Sequence, residues 1–250
     1  MTWLGVGPAG WAHLAFFGLV IPWAAWHSRG RMERHALPPR GRHFVAVVIQ
    51  LLVFLAISVV VARAEAIELV TAPREGWLPW LLAGALLAGG LLLMAPRWRR
   101  DVERRERKLH LFMPRTPGER VLWVAVAAAA GISEEVTYRG VMYALLASVT
   151  GNGWAAAMVA SLVFGVSHSL QGWKSAGIIS LIALLLHGLV ALSGTLILAV
   201  AIHAVYDIVA GLRYGRLGEE LGYPIDGIPP DDTKPDRAGG ISPAPSGSES

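Results

Sequence analysis

Glu134-Glu135-Val136-Thr137-Tyr138-Arg139 interrupts an otherwise apolar stretch. Before it stand Val121-Leu122-Trp123-Val124-Ala125-Val126 and four alanines, Ala127 to Ala130; after it come Val141-Met142-Tyr143-Ala144-Leu145-Leu146. A run of this length and hydropathy reads as a helix crossing a bilayer, which needs about 20 mostly apolar residues. An ionised carboxylate at mid-bilayer costs on the order of 2.5–3.5 kcal/mol, so two adjacent ones require a polar pocket among helices.

Working outward, the same reading places spans over 10–26, 43–62, 77–95, 121–149, 154–169, 175–192 and 195–212. The expected fold is therefore all-α: a polytopic transmembrane helix bundle of about seven spans, within a range of six to eight. The fourth is long enough to be broken or tilted. Apolar residues make up 54% of the chain and the mean hydropathy is +0.49, which fits this class rather than a soluble domain. There are no cysteines, which excludes disulfides, thiolate catalysis and Cys-ligated metal sites.

The sequence pI of 9.8 does not point to nucleic acid, because the basic residues lie between apolar spans. Arg29, Arg31, Arg34, Arg40 and Arg42 follow the first span; Arg97, Arg99, Arg100, Arg104, Arg105, Arg107 and Lys108 follow the third. The segment 63–76 balances Arg63 and Arg74 with Glu65, Glu68 and Glu75. The positive-inside rule then puts the N-terminus outside and the basic loops and C-terminus in the cytoplasm. The first span lacks a basic leader and a cleavage site and is expected to be retained. Segment 97–111 reads as a basic helix on the cytoplasmic surface, where it would meet anionic lipid headgroups. Trp77, Trp80, Trp98, Trp123, Trp154 and Trp173 fall at span ends, where indoles favour the interface. The segment from Pro224 to Ser250 is rich in Pro, Gly, Ser and Asp and reads as disordered.

Three polar groups stand inside apolar spans. Glu135 and Arg139 are four apart on a helix and share a face, whereas Glu134 is turned by about 100° and should point elsewhere. The spacing thus offers one neutralised carboxylate and one free one. Phe164-Gly165-Val166-Ser167-His168 closes the fifth span, and His203-Ala204-Val205-Tyr206-Asp207 lies in the seventh, with His203 and Asp207 one turn apart. A carboxylate beside imidazoles, shielded from bulk water, can serve as a general base toward water. The same set, His168 and His203 with Glu134 or Asp207, could instead ligate a divalent metal such as zinc. His187 lies in the sixth span, where an interhelical hydrogen bond is the expected role, and His13 has no partner in the sequence pattern. Ser133, Ser167 and Ser193 come without a dyad signature and are expected to serve helix packing.

Taken in order, EExxxR, FxxxH and HxxxD on separate spans resemble the motif series of the CPBP intramembrane proteases, which include the type II CAAX prenyl endopeptidases and bacteriocin-processing relatives. The motifs are carried by Glu134, Glu135 and Arg139, by Phe164 and His168, and by His203 and Asp207, with Gly194-Thr195-Leu196 as the turn before the last helix. The resemblance implies a membrane-embedded endopeptidase of metallo or glutamate type, acting on a membrane-associated protein or peptide, lipid-anchored tails included. It makes Glu134 and His168 the water-activating pair, with His203 and Asp207 completing the site and Glu135, Arg139 and Phe164 supporting it. Asp207 stands where many relatives carry Asn, and an ionised aspartate cannot donate to an oxyanion. The same fold also serves non-catalytic immunity or scaffold proteins, and buried carboxylate–histidine chains also line proton and ion paths.

The expected organisation is 1–117 for N-terminal spans and basic loops, 118–212 for the catalytic membrane domain, and 213–250 for a disordered tail. The expected location is the bacterial inner (plasma) membrane, with lipids and a membrane-bound protein or peptide as partners.

Overall fold

The computed structural model describes residues 4–229. Seven apolar helices carry the fold: α1 (Pro8–Arg34), α2 (Arg40–Ala64), α3 (Leu78–Glu103), α4 (Pro117–Thr150), α5 (Gly153–Ser167), α6 (Trp173–Ser193) and α7 (Ile197–Glu220). Six are long and apolar enough to cross a membrane, and α5, with 15 residues, is a shorter apolar helix. Among the described residues no β-strand forms. The chain is a polytopic all-helical bundle.

Local chemistry sets the helix ends. Thr116 and Glu119 make a reciprocal capping box at the start of α4: Glu119 N–H donates to Thr116 Oγ1 (3.2 Å) and Thr116 N–H to Glu119 Oε2 (3.0 Å). Asn152 caps α5 by accepting from the N–H groups of Trp154 and Ala155. Gly151 and Gly194, both left-handed, terminate α4 and α6.

Two helices depart from α geometry. α1 widens to a π turn at Phe16–Val20, and α4 does so over the eight residues Glu135–Met142. Mid-helix π segments are uncommon and gather at functional sites.

One bundle end collects the basic connections. Arg40 donates to the carbonyl of Ile225, Arg107 to those of Ile228 and His35, and Arg115 to that of Tyr223. Trp98, Val102, Leu109, Met113, Ala210, Leu217 and Tyr223 form the apolar core beneath them. Segment 97–111 is consequently not a separate surface helix. Its first part continues α3 to Glu103, and the rest turns into a short 3-10 helix, Arg107–Phe112, because Trp98, Val102 and Leu109 bury themselves against α7. α7 likewise runs to Glu220, so 213–220 are helical and not tail, and within the segment expected to be disordered from Pro224, Ile225 and Ile228 are held by Arg40 and Arg107; the rest of that segment, from residue 230 onward, lies outside the described residues. Trp98 and Trp123 are buried, unlike the exposed Trp77, Trp80, Trp154 and Trp173. Interfacial preference yields where an indole can fill a core.

At the middle of the bundle Phe17, Tyr138, Met142, Ala160, Phe164 and Ala183 pack as one cluster. Small residues let the helices around it approach. A Cβ on Gly131 would lie 3.0 Å from the carbonyl oxygen of Val200, and one on Gly165 only 2.5 Å from that of Ala176. Such approaches are typical of membrane helix interfaces. Gly84 and Gly89, by contrast, face open space, and Gly90 alone of that group nears a neighbour, Tyr206. Gly165→Ala is expected to push α5 from α6 and to lower stability by about 1–3 kcal/mol, the usual range for overpacking. A thermal unfolding curve in detergent identical to wild type would mean that the two helices do not approach this closely.

Candidate active site

The π segment of α4 sets the site geometry. It begins at Glu135, directly after Glu134, and carries Arg139. A π turn holds more residues than an α turn, so consecutive side chains are rotated less from one another. Glu134 and Glu135, expected to diverge, instead address the same imidazole. His203 Nδ1–H donates to Glu135 Oε1 at 2.8 Å, while His203 Nε2 lies 3.6 Å from Glu134 Oε2.

Behind this contact Glu135 is fully buried, and its Oε1 lies 3.2 Å from Arg139 Nη1. The guanidinium carbon stands 4.4 Å from the ring centroid of Phe164, a cation–π contact in apolar surroundings. Phe164 also meets the rings of Tyr138 (4.9 Å) and His168 (4.5 Å). FxxxH and EExxxR therefore touch through the phenylalanine.

His168 is the residue that ends α5. Its Nδ1–H donates to the carbonyl oxygen of Phe164 at 2.8 Å, which leaves the Nε2 lone pair facing Glu134 Oε2 at 3.8 Å. Asp207, one turn beyond His203, brings Oδ2 to 3.5 Å from His203 Nε2. The structure thus brings all four residues, Glu134, His168, His203 and Asp207, to one place. They are partly accessible, from 13% exposure at His203 to 32% at Asp207, whereas Glu135 and Arg139 are sealed.

Sequence reasoning missed two contributions. Glu135 has a double role, as ion-pair partner of Arg139 and as the acceptor that fixes the ring of His203. Trp123 donates its indole N–H to the carbonyl of Asp207 at 2.8 Å and packs beside Phe44, tying α7 to α4 at the site. No local pattern marks either contact. His187 lies outside the cluster: its ring sits 5.3 Å from that of Tyr143, it is near enough to feel the charges of Arg139 and Glu135, and its Nε2 makes no hydrogen bond.

The donor set has the chemistry of a zinc shell. Both Nδ1–H groups are held by protein acceptors, the usual orientation of a metal-ligating imidazole, and both Nε2 atoms turn toward Glu134 Oε2. Among the described residues no group of three or more His, Asp or Glu is already drawn together as a metal cage. His168, His203 and Glu134 or Asp207 are the residues that would hold such an ion.

A helical bundle of this hydropathy with an acid–base cluster at its centre defines a polytopic integral membrane protein. Residues 116–209 match the family model of the type II CAAX prenyl endopeptidases, described as Rce1-like, so this segment carries the Rce1-like domain. The match supports a membrane protease. It takes in the candidate site whole and leaves α1, α2 and α3 outside. No curated protein and no solved structure matches the chain.

Arg139→Ala would leave Glu135 buried without its cation, which typically costs about 3–5 kcal/mol. The expected outcome is a much lower melting temperature in detergent and reduced yield in the membrane. An unaltered melting temperature would remove the ion pair from any supporting role.

Proposed function

We propose that the chain is an intramembrane endopeptidase that hydrolyses a peptide bond of a membrane-associated protein or peptide, lipid-anchored tails included. Glu134 and His168 activate the water, and His203 and Asp207 complete the site. The observation that carries this reading is the pairing of two acceptors across a gap. Glu134 Oε2 and the His168 Nε2 lone pair face each other at 3.8 Å, too far for a direct hydrogen bond and suited to a water that donates a proton to each.

Both acceptors draw protons from such a water, so its oxygen lone pair is left for the scissile carbonyl carbon. As the C–O bond forms, Glu134 takes the proton. When the C–N bond breaks, the same proton passes to the departing amine. His203 faces the developing oxyanion from the other side. Its Nδ1–H is held by Glu135, and a proton on Nε2 then donates to the carbonyl oxygen. Asp207 acts as an acceptor for that Nε2–H until substrate arrives, a role for which aspartate suffices. The Arg139–Glu135–His203 line resembles in logic the carboxylate that orients a catalytic histidine.

Orientation with the N-terminus outside and the C-terminus cytoplasmic is supported by the bundle end that gathers Arg40, Arg107 and Arg115. Anionic lipids of the bacterial inner membrane are the expected surroundings of that end.

The first experiment compares membrane-protein termini, by mass spectrometry, in cells carrying wild type or Glu134→Gln. New termini present only with wild type, at equal levels of folded protein, are the expected outcome. Identical termini in both would shift the reading to an immunity or scaffold protein on this fold. On the water-based route, cleavage by purified protein continues in excess chelator. Activity lost on chelation and restored by zinc would instead move His168 and His203 into a metal shell.

A further inference from the structure

The π segment is anchored from the side opposite the site by a polar chain through two other helices. His13 of α1, Ser58 of α2 and Thr137 of α4 are each at most 1% exposed. His13 Nε2 lies 3.2 Å from Ser58 Oγ, and Ser58 Oγ lies 2.8 Å from Thr137 Oγ1. His13 Nδ1 has no partner. A buried N–H without an acceptor is the rarer defect, so the ring proton belongs on Nε2. It follows that His13 Nε2–H donates to Ser58 and the Ser58 hydroxyl donates to Thr137. All the donors run one way and end on the π segment.

An aromatic path runs alongside. His13 packs at a tilt, 4.6 Å between ring centroids, against Phe17, which sits in the π turn of α1, and Phe17 meets Tyr138 at 6.3 Å. Tyr138 then packs on Phe164, which underlies Arg139 and His168. Thr137 thus lies between the two members of the sealed ion pair, two residues from each, and is gripped from behind. Neither His13 nor Ser58 falls in the matched segment 116–209.

We propose that His13, Ser58 and Thr137 are positioning residues, whose hydroxyl–imidazole chain holds the wide turn that aims both Glu134 and Glu135 at His203. Without the chain, the segment tightens toward α geometry, and Glu134 swings off the water it shares with His168. This role rests on the activity proposed above for Glu134. It assigns the N-terminal helices a part in the chemistry and not only in anchoring.

The test uses the full-length protein with Thr137→Val, Ser58→Ala and Thr137→Ser. Thr137→Val keeps shape and removes the hydroxyl; Ser58→Ala deletes one oxygen and stands in if the valine variant does not fold. Two quantities are read. One is cleavage of a substrate identified from the termini comparison. The other is the 15N signal of the His203 Nδ1–H in histidine-labelled protein, assigned among the eight histidines by its loss in His203→Gln.

The expected result is a fall in kcat on the order of 10- to 100-fold at unchanged KM, the usual scale for a misplacement near 1 Å. A displaced His203 signal accompanies it, and Thr137→Ser restores both. Wild-type kcat and an unmoved His203 signal in folded Thr137→Val or Ser58→Ala would overturn the proposal. If wild type cleaves nothing, the peptidase reading fails by itself. The His203 signal then decides alone, its displacement supporting the positioning role and its constancy ending it.

Discussion

Glu135 and Arg139 are charged, adjacent by one turn and closed off from solvent inside a bundle whose interior is mostly apolar. Removing two ions from water is costly, and their mutual attraction compensates only when further contacts satisfy the remaining polar atoms. The surroundings supply some of these, while Glu135 Oε2 and Arg139 Nε find no hydrogen-bond partner. His203 donates to the carboxylate, the Phe164 ring lies under the guanidinium, and Glu134 with Asp207 faces the other nitrogen of the same histidine. His203 and Asp207 come from α7, Phe164 from α5 and Glu134 from α4 itself, so the three helices meet around one buried pair. The reactive-looking groups are therefore carried against a buried, multiply contacted pair, as a preorganised site requires.

Hydropathy and motif spacing were enough to read the helical bundle, because an apolar run of membrane length has few alternatives. They were also enough to single out Glu134, His168, His203 and Asp207, since polar groups inside such runs stand out. What escaped was whatever depends on departure from ideal geometry. The divergence expected of Glu134 and Glu135 assumed a straight α-helix; the π turn that opens at Glu135 narrows it, and His203 spans the rest by offering a different ring nitrogen to each. Residues 97–111 look amphiphilic and superficial until Trp98, Val102 and Leu109 find the end of α7. Trp123, marked as an interfacial indole, is a buried hydrogen-bond donor to the backbone of Asp207. His13 gains its meaning only from Ser58, 45 residues away.

The division between matched and unmatched segments is not a division of labour. The Rce1-like match begins just before α4, yet α2 packs along α4, and α1 reaches its π segment through Phe17. Two of the helices that carry no motif thus pack directly against the helix that carries the acidic pair.

α5 is the short member of the bundle, and its length has a consequence for the lipid beside it. Fifteen residues rise about 22 Å against a hydrocarbon core of about 30 Å. With the exposed Trp154 set at one headgroup layer, a helix of that length would end, at His168, short of the other. The chain itself fills the space beyond: Ser169 is buried, Lys108 reaches the carbonyl of Gln171, and Arg97 reaches the hydroxyl of Ser175. Bilayers thin beside a short span, and these cations would draw headgroups and solvent toward the helix end. A dimple in one leaflet beside His168 would let hydrolytic water and a flexible, polar stretch of peptide arrive without crossing the full thickness of oil.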